Sequence, residues 1–165
     1  MSLANVALSE GPVPTSRELA RWQVEPTIAA PRAVRHDVLA RWGDTDGDQS
    51  ADPVAISRLA LVLTELVTNA VQHGEDSIRV TLGRTSVGWL VAVAEHPPPL
   101  AREAERPTSW RSTTPGADLG GRGLTIVAAI STRCGWTRPE GHLVIWAEVP
   151  DHPDPAESDV AATAS

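Results

Sequence analysis

Apolar and polar positions recur along this chain with two periods, one helical and one alternating, and each stretch where a period holds predicts an element. The longest is 52–74, where Ile56, Leu59, Ala60, Leu63, Val67, Ala70 and Val71 return at helical spacing as a wide apolar stripe. Asp52 suits an N-cap, Pro53 a first turn that needs no amide donor, and Gly74 the left-handed residue that closes a helix. One long helix is predicted, and its stripe must face a core.

A second helix is predicted from about Pro31, with Ala33, Val34, Val38, Leu39 and Trp42 on one face and Gly43 as its stop. Trp22 to Pro26 reads as a short edge strand ended by its proline. Ile78, Val80 and Leu82 alternate with Arg79 and Thr81, and a more continuous apolar run follows at 89–94, which predicts an antiparallel hairpin. A second hairpin pairs 134–138 with 142–149 around Pro139, Glu140 and Gly141, placing Leu143, Ile145, Ala147 and Val149 on one face. Leu124, Val127, Ala128 and Ile130 predict a short helix before it. The expected fold is α+β, a two-layer sandwich with helices on one face of a mixed, mainly antiparallel sheet. One domain over 21–149 is expected between tails without fixed structure at 1–20 and 150–165, where Gly, Pro, Ser, Asp and Ala dominate without a period.

Composition narrows the chemistry. A chain of 165 residues suits one domain, and a net charge of −7 lacks the basic footprint of a nucleic-acid or anionic-membrane binder. No unbroken apolar run reaches the length of a membrane span and no charged-then-apolar leader opens the chain, so a cytoplasmic protein without membrane or nucleic-acid partners is expected. Cys134, the one cysteine, reads as a buried structural thiol. All 14 basic residues are arginine. That excludes a Walker-type phosphate loop, the strand lysine of the common protein-kinase fold and Schiff-base catalysis, each of which needs a lysine amine.

Two patterns carry candidate chemistry. Glu65 and Asn69 stand one turn apart on the long helix, so a carboxylate and an amide share an edge that could orient a nucleophile and hold a hydrated cation. By spacing alone they also read as the wet side of an amphipathic helix. The run Gly120, Gly121, Arg122, Gly123, Leu124 opens the short helix, where free amides and the positive end of a dipole suit a phosphate chain; a plain turn is the alternative. Before it, 95–120 is long, rich in proline and without a period, as functional loops are. The acidic run 44–50 lacks the bidentate Glu of a Ca²⁺ loop, Ala55 standing in that place, and reads as a solvated connection.

The order of these pieces resembles the Bergerat-fold ATPases shared by histidine kinases and gyrase, and within them the bacterial anti-sigma factor serine/threonine kinases. The likeness runs from about Trp22 to Val149 and is most specific at Glu65-Leu66-Val67-Thr68-Asn69-Ala70, His73-Gly74 and Gly121-Arg122-Gly123-Leu124. It implies ATP and Mg²⁺ as cofactors, Glu65 as general base, Asn69 as Mg²⁺ ligand, and His73, Gly121, Arg122, Gly123 and Leu124 at the nucleotide, with 95–120 as its lid. It further implies a sigma factor and an antagonist protein as partners, phosphoryl transfer to a serine or threonine of that antagonist, and a homodimer. Where the family carries an adenine-binding Asp, this chain has Glu95 followed by Pro97, Pro98 and Pro99, which keeps the charge one methylene further out. That departure favours an alternative: the same fold as a non-catalytic protein-binding module with weak or no ATP binding.

Overall fold

The computed structural model describes residues 8–43, 52–73, 77–95 and 123–152. In chain order these form β1 (Ser9–Glu10), β2 (Arg17–Val24), α1 (Ala30–Trp42), α2 (Pro53–His73), β3 (Ile78–Arg84), β4 (Gly88–Glu95), α3 (Gly123–Ile130), β5 (Arg133–Thr137), a 3-10 turn (Pro139–Gly141) and β6 (Leu143–Pro150). The strands make one six-stranded sheet in the order β1-β5-β6-β4-β3-β2. Among the described residues only the β1–β5 pair is parallel and the other pairs are antiparallel, so the expected α+β sandwich on a mixed sheet is what forms.

α2 is the centre of the helical layer, packed on α1, on α3 and on β3, β4 and β6. Asp52 starts it: its Oδ1 accepts from the Val54 amide at 2.8 Å and its carbonyl from the Ile56 amide at 3.0 Å. Thr64 donates its hydroxyl back to the Ala60 carbonyl at 2.7 Å, so a polar group in an apolar helix goes paired. Leu59, Val62, Leu63, Leu66 and Val67 are buried against the sheet's core face, where Ile78, Val80, Leu82, Val91, Val93, Ile145, Ala147 and Val149 meet them. By length and composition α2 could also cross a membrane, but this burial makes it the core helix of a sandwich.

α1 ends at Gly43, whose amide donates to the Leu39 carbonyl at 2.7 Å in right-handed geometry. Aromatic rings and arginines seat it on the sheet. The Trp22 indole donates to Asp37 Oδ2 at 2.7 Å, which draws the Asp37 carboxyl below its usual range. Trp42 meets Trp89 edge to face at 5.8 Å, and the Arg84 guanidinium lies 4.5 Å from the Trp89 ring centre.

The expectation of a structureless tail over 1–20 is corrected from Leu8 onward. β2 begins at Arg17 and is an edge strand longer than the expected 22–26. β1 and β2 lie at opposite edges of the sheet, joined only by residues 11–16. Five inter-strand steps of about 4.8 Å make ~24 Å, about what seven extended Cα steps can span, so this connection must run almost straight across the sheet. It crosses the face away from the helices. Trp146, which points opposite to Ile145 and Ala147, donates its indole N–H to the Gly11 carbonyl at 3.2 Å, and Ser16 lies over Gly83. Beneath the strap Leu90 and Trp146 are buried, with Glu148 fully buried and its Oε2 accepting from Arg133 Nε at 2.8 Å. A Cβ on Gly135 would stand 2.6 Å from the Ser9 carbonyl oxygen and 2.7 Å from the Trp146 ring. Gly135→Ala is therefore expected to lower stability by ~1–3 kcal/mol through overpacking and to unseat β1. Urea unfolding and protection of the residue 9–10 amides from exchange measure both effects.

At the other end the expectation of a tail is corrected at its first residues: Pro150 belongs to β6, and Asp151 accepts from both terminal guanidinium nitrogens of Arg84, Nη2 at 2.8 Å. The rest of that tail, the 44–50 connection, Gly74 and 96–120 lie outside the described residues.

Candidate functional site

Helical spacing puts Glu65 and Asn69 about 6 Å apart along α2. Glu65 is half-buried and Asn69 is 8% exposed, so neither stands on a wet helix face. α3 lies against Glu65. A Cβ on Gly123 would run into Glu65 Oε2, so the carboxylate lies against the first residue of α3. The unpaired amides of a helix's first turn and its positive dipole end are thus placed beside an acid. Of the sequence-predicted residues, Glu65 and Gly123 lie against each other, Asn69 stands one turn along α2, and Leu124 follows Gly123 half-buried. Gly121, Arg122 and the side chain of His73 lie outside the described residues.

Among the described residues no three His, Cys, Asp or Glu side chains gather into a metal cage. The oxygen donors of Asn69 and Glu65 fit a hard cation that completes its shell with water and phosphate oxygens, the habit of Mg²⁺. Cys134 is half-buried and burial pushes its thiol up, as a structural cysteine requires.

Glu95 departs from expectation. Along β4 the buried Trp89, Val91 and Val93 point to the helical layer, and alternation carries Glu95 to the same side, opposite Leu143 of β6. It is 3% exposed and its Oε2 has no hydrogen-bond partner among the described residues. Burial raises its pKa to about 8 against the opposing pull of the Arg138 guanidinium, so at neutral pH the carboxyl carries a proton. The expectation that Glu95 keeps the negative charge is corrected: a longer side chain buried this far sheds it. Arg138 itself gave no signal in the sequence. It follows Thr137, the last β5 residue paired with β6, and its charge acts on Glu95, which pairs with Leu143, so only strand pairing brings these segments near one another.

The model of the histidine kinase-like ATPase domain matches residues 24–147. The sensor histidine kinase component HK1 of Mycobacterium tuberculosis is 32% identical over 130 residues, covering 72% of this chain and 72% of that protein. Among solved structures, the RsbU and RsbW domains of Rv1364c from Mycobacterium tuberculosis align with a TM-score of 0.49 at 18% identity over 82% of this chain. The chain covers 34% of the length of that one.

Proposed function

The chain belongs to the histidine kinase-like ATPase domain family, and from that premise we propose that it binds ATP with Mg²⁺ and transfers the γ-phosphoryl group to a serine or threonine of a small antagonist protein. Binding and release of a sigma factor in the cytoplasm complete the reading. One observation carries it: the half-buried acid of α2 meets the glycine that opens α3, with a buried amide one turn further along. In this reading the first-turn amides of α3 receive the phosphate chain, with Gly121 and Gly123 letting the backbone approach it and Arg122 adding charge, as the resemblance implies. The Asn69 amide oxygen would hold the cation, which would supply charge neutralisation at the phosphate oxygens. Glu65 takes the proton of the attacking hydroxyl. Without lysine, the site relies on amides, cation and arginine for electrostatic stabilisation.

Thermal melts with ATP, with and without Mg²⁺, test the binding half. Ligand at about 100 times its Kd stabilises the fold by ~2.7 kcal/mol, enough to raise Tm by several degrees. Asn69→Ala is expected to lose the Mg²⁺-dependent part of that rise and keep the ligand-free Tm. An unchanged Mg²⁺ response in the variant ends the metal role. Transfer of label from γ-labelled ATP to a serine-bearing partner of the same organism tests the kinase half.

Glu95 in place of the family's Asp, with Pro97, Pro98 and Pro99 after it, favours a second reading, a protein-binding module of the same fold with little nucleotide affinity. Tight ATP binding by the natural sequence rejects it. Binding that only Glu95→Asp creates supports it.

A further inference from the structure

We propose that the segment from Leu8 to Ser16 is a releasable strap: it lifts off the sheet as one unit while the sandwich beneath stays folded, and Glu148 is the weak point that lets it lift.

The span is taut. Glu10 and Arg17 sit at opposite edges of the sheet, ~24 Å apart by strand spacing, and seven extended Cα steps reach no more than about 25 Å. A chain without slack cannot bulge off the surface in its middle, so lifting it requires one end to let go. The ends are unequal. β2 is held along eight residues by β3, with Trp22 bonded to Asp37 of α1, whereas β1 is two residues long and pairs with β5 alone. Release therefore starts at β1. It carries with it the buried Leu8 side chain and both bonds of Gly11, whose amide donates to the Trp136 carbonyl at 3.0 Å and whose carbonyl accepts from the Trp146 indole at 3.2 Å. Because these contacts share one tether, they break together.

What lies beneath favours the release. Glu148 is fully buried on the strap's side of the sheet, in the row that runs from Gly83 through Leu90 and Glu148 to Arg133. Its Oε2 accepts from Nε of Arg133, a side chain 58% exposed, and its Oε1 has no hydrogen-bond partner among the described residues. The strap has few donors to offer. Pro12 and Pro14 carry no N–H, and the Gly11 amide is taken by Trp136. A carboxylate stripped of water and one bond short is a cost borne by the closed form alone, since water completes the group once the strap lifts. Hydrophobic cover pulls the other way, because lifting exposes Leu8, Leu90 and Trp146. The cover keeps the strap shut and the acid keeps the closed form shallow. Opening gives the sheet a second face, apolar at Leu90 and Trp146 and charged at Glu148 and Arg133, which the closed form conceals.

Hydrogen exchange of the full chain, followed by NMR, reads the opening at two protons: the Gly11 amide and the Trp146 indole N–H. Both are expected to share one protection factor, insensitive to low urea, and to be roughly a hundredfold or more less protected than the amides of the central strand β4, which wait for global unfolding. Protection equal to that of β4, or unlike between the two protons by more than about tenfold, overturns the strap as a unit.

Two variants test the weak point. Glu148→Leu removes the buried charge at similar volume and is expected to raise protection at both strap protons about tenfold. Arg133→Ala takes away the donor to Oε2 and is expected to lower it about tenfold or more. Strap protection unchanged in both variants overturns the role of Glu148. No nucleotide enters these measurements, so their outcome is independent of the kinase reading.

Discussion

If the proposed kinase reading holds, Glu65→Gln is expected to lower phosphoryl transfer from ATP by ~10²–10⁴-fold, the usual share of a general base, with ATP affinity and Tm close to those of the natural sequence. The expectation rests on isostery. Gln fills the space Glu65 occupies against Gly123, so the α2–α3 contact survives and only the basic oxygen is lost. Single-turnover transfer of label, with thermal melts in parallel, separates the chemistry from the fold. A variant that transfers at the natural rate removes Glu65 from catalysis; one that loses both transfer and the melting transition shows a structural acid instead.

The second large effect is on stability. Leu63→Ala is expected to cost about 2–5 kcal/mol, because the side chain is fully buried between α2 and the sheet and the cavity it leaves has close-packed walls. Leu61, two residues earlier on the same helix, is 40% exposed. Its Ala variant is expected to change stability by no more than ~0.5 kcal/mol. Paired urea titrations decide: equal losses at the two positions would mean that α2 does not present the face described for it. The contrast is independent of any ligand, so it tests the sandwich without testing the kinase.

The pair Glu65 and Asn69 could be read before any coordinates because i and i+4 always share a helix edge. That the edge is half-buried, and that Gly123 lies against the acid, depended on how two helices far apart in the chain pack. The general-base and metal roles came from the family resemblance and remain part of the proposal tested above. Of the remaining candidates, Gly121, Arg122 and the His73 side chain lie outside the described residues.

The sequence by itself determined the kinds of element and most of their ends. The stripe of Leu59, Leu63, Val67 and Ala70, the cap at Asp52, the alternation at 78–82 and the turn at Pro139 act within a few residues, and local interactions are written in local pattern. Tertiary structure alone decided three things. A two-residue strand too short to show a period found its partner on β5, so the expected tail became a strap across the sheet. Strand pairing brought Arg138 towards Glu95. Burial then removed a charge that the amino-acid type implied, because the ionisation of a carboxyl depends on everything packed around it and not on its neighbours in the chain.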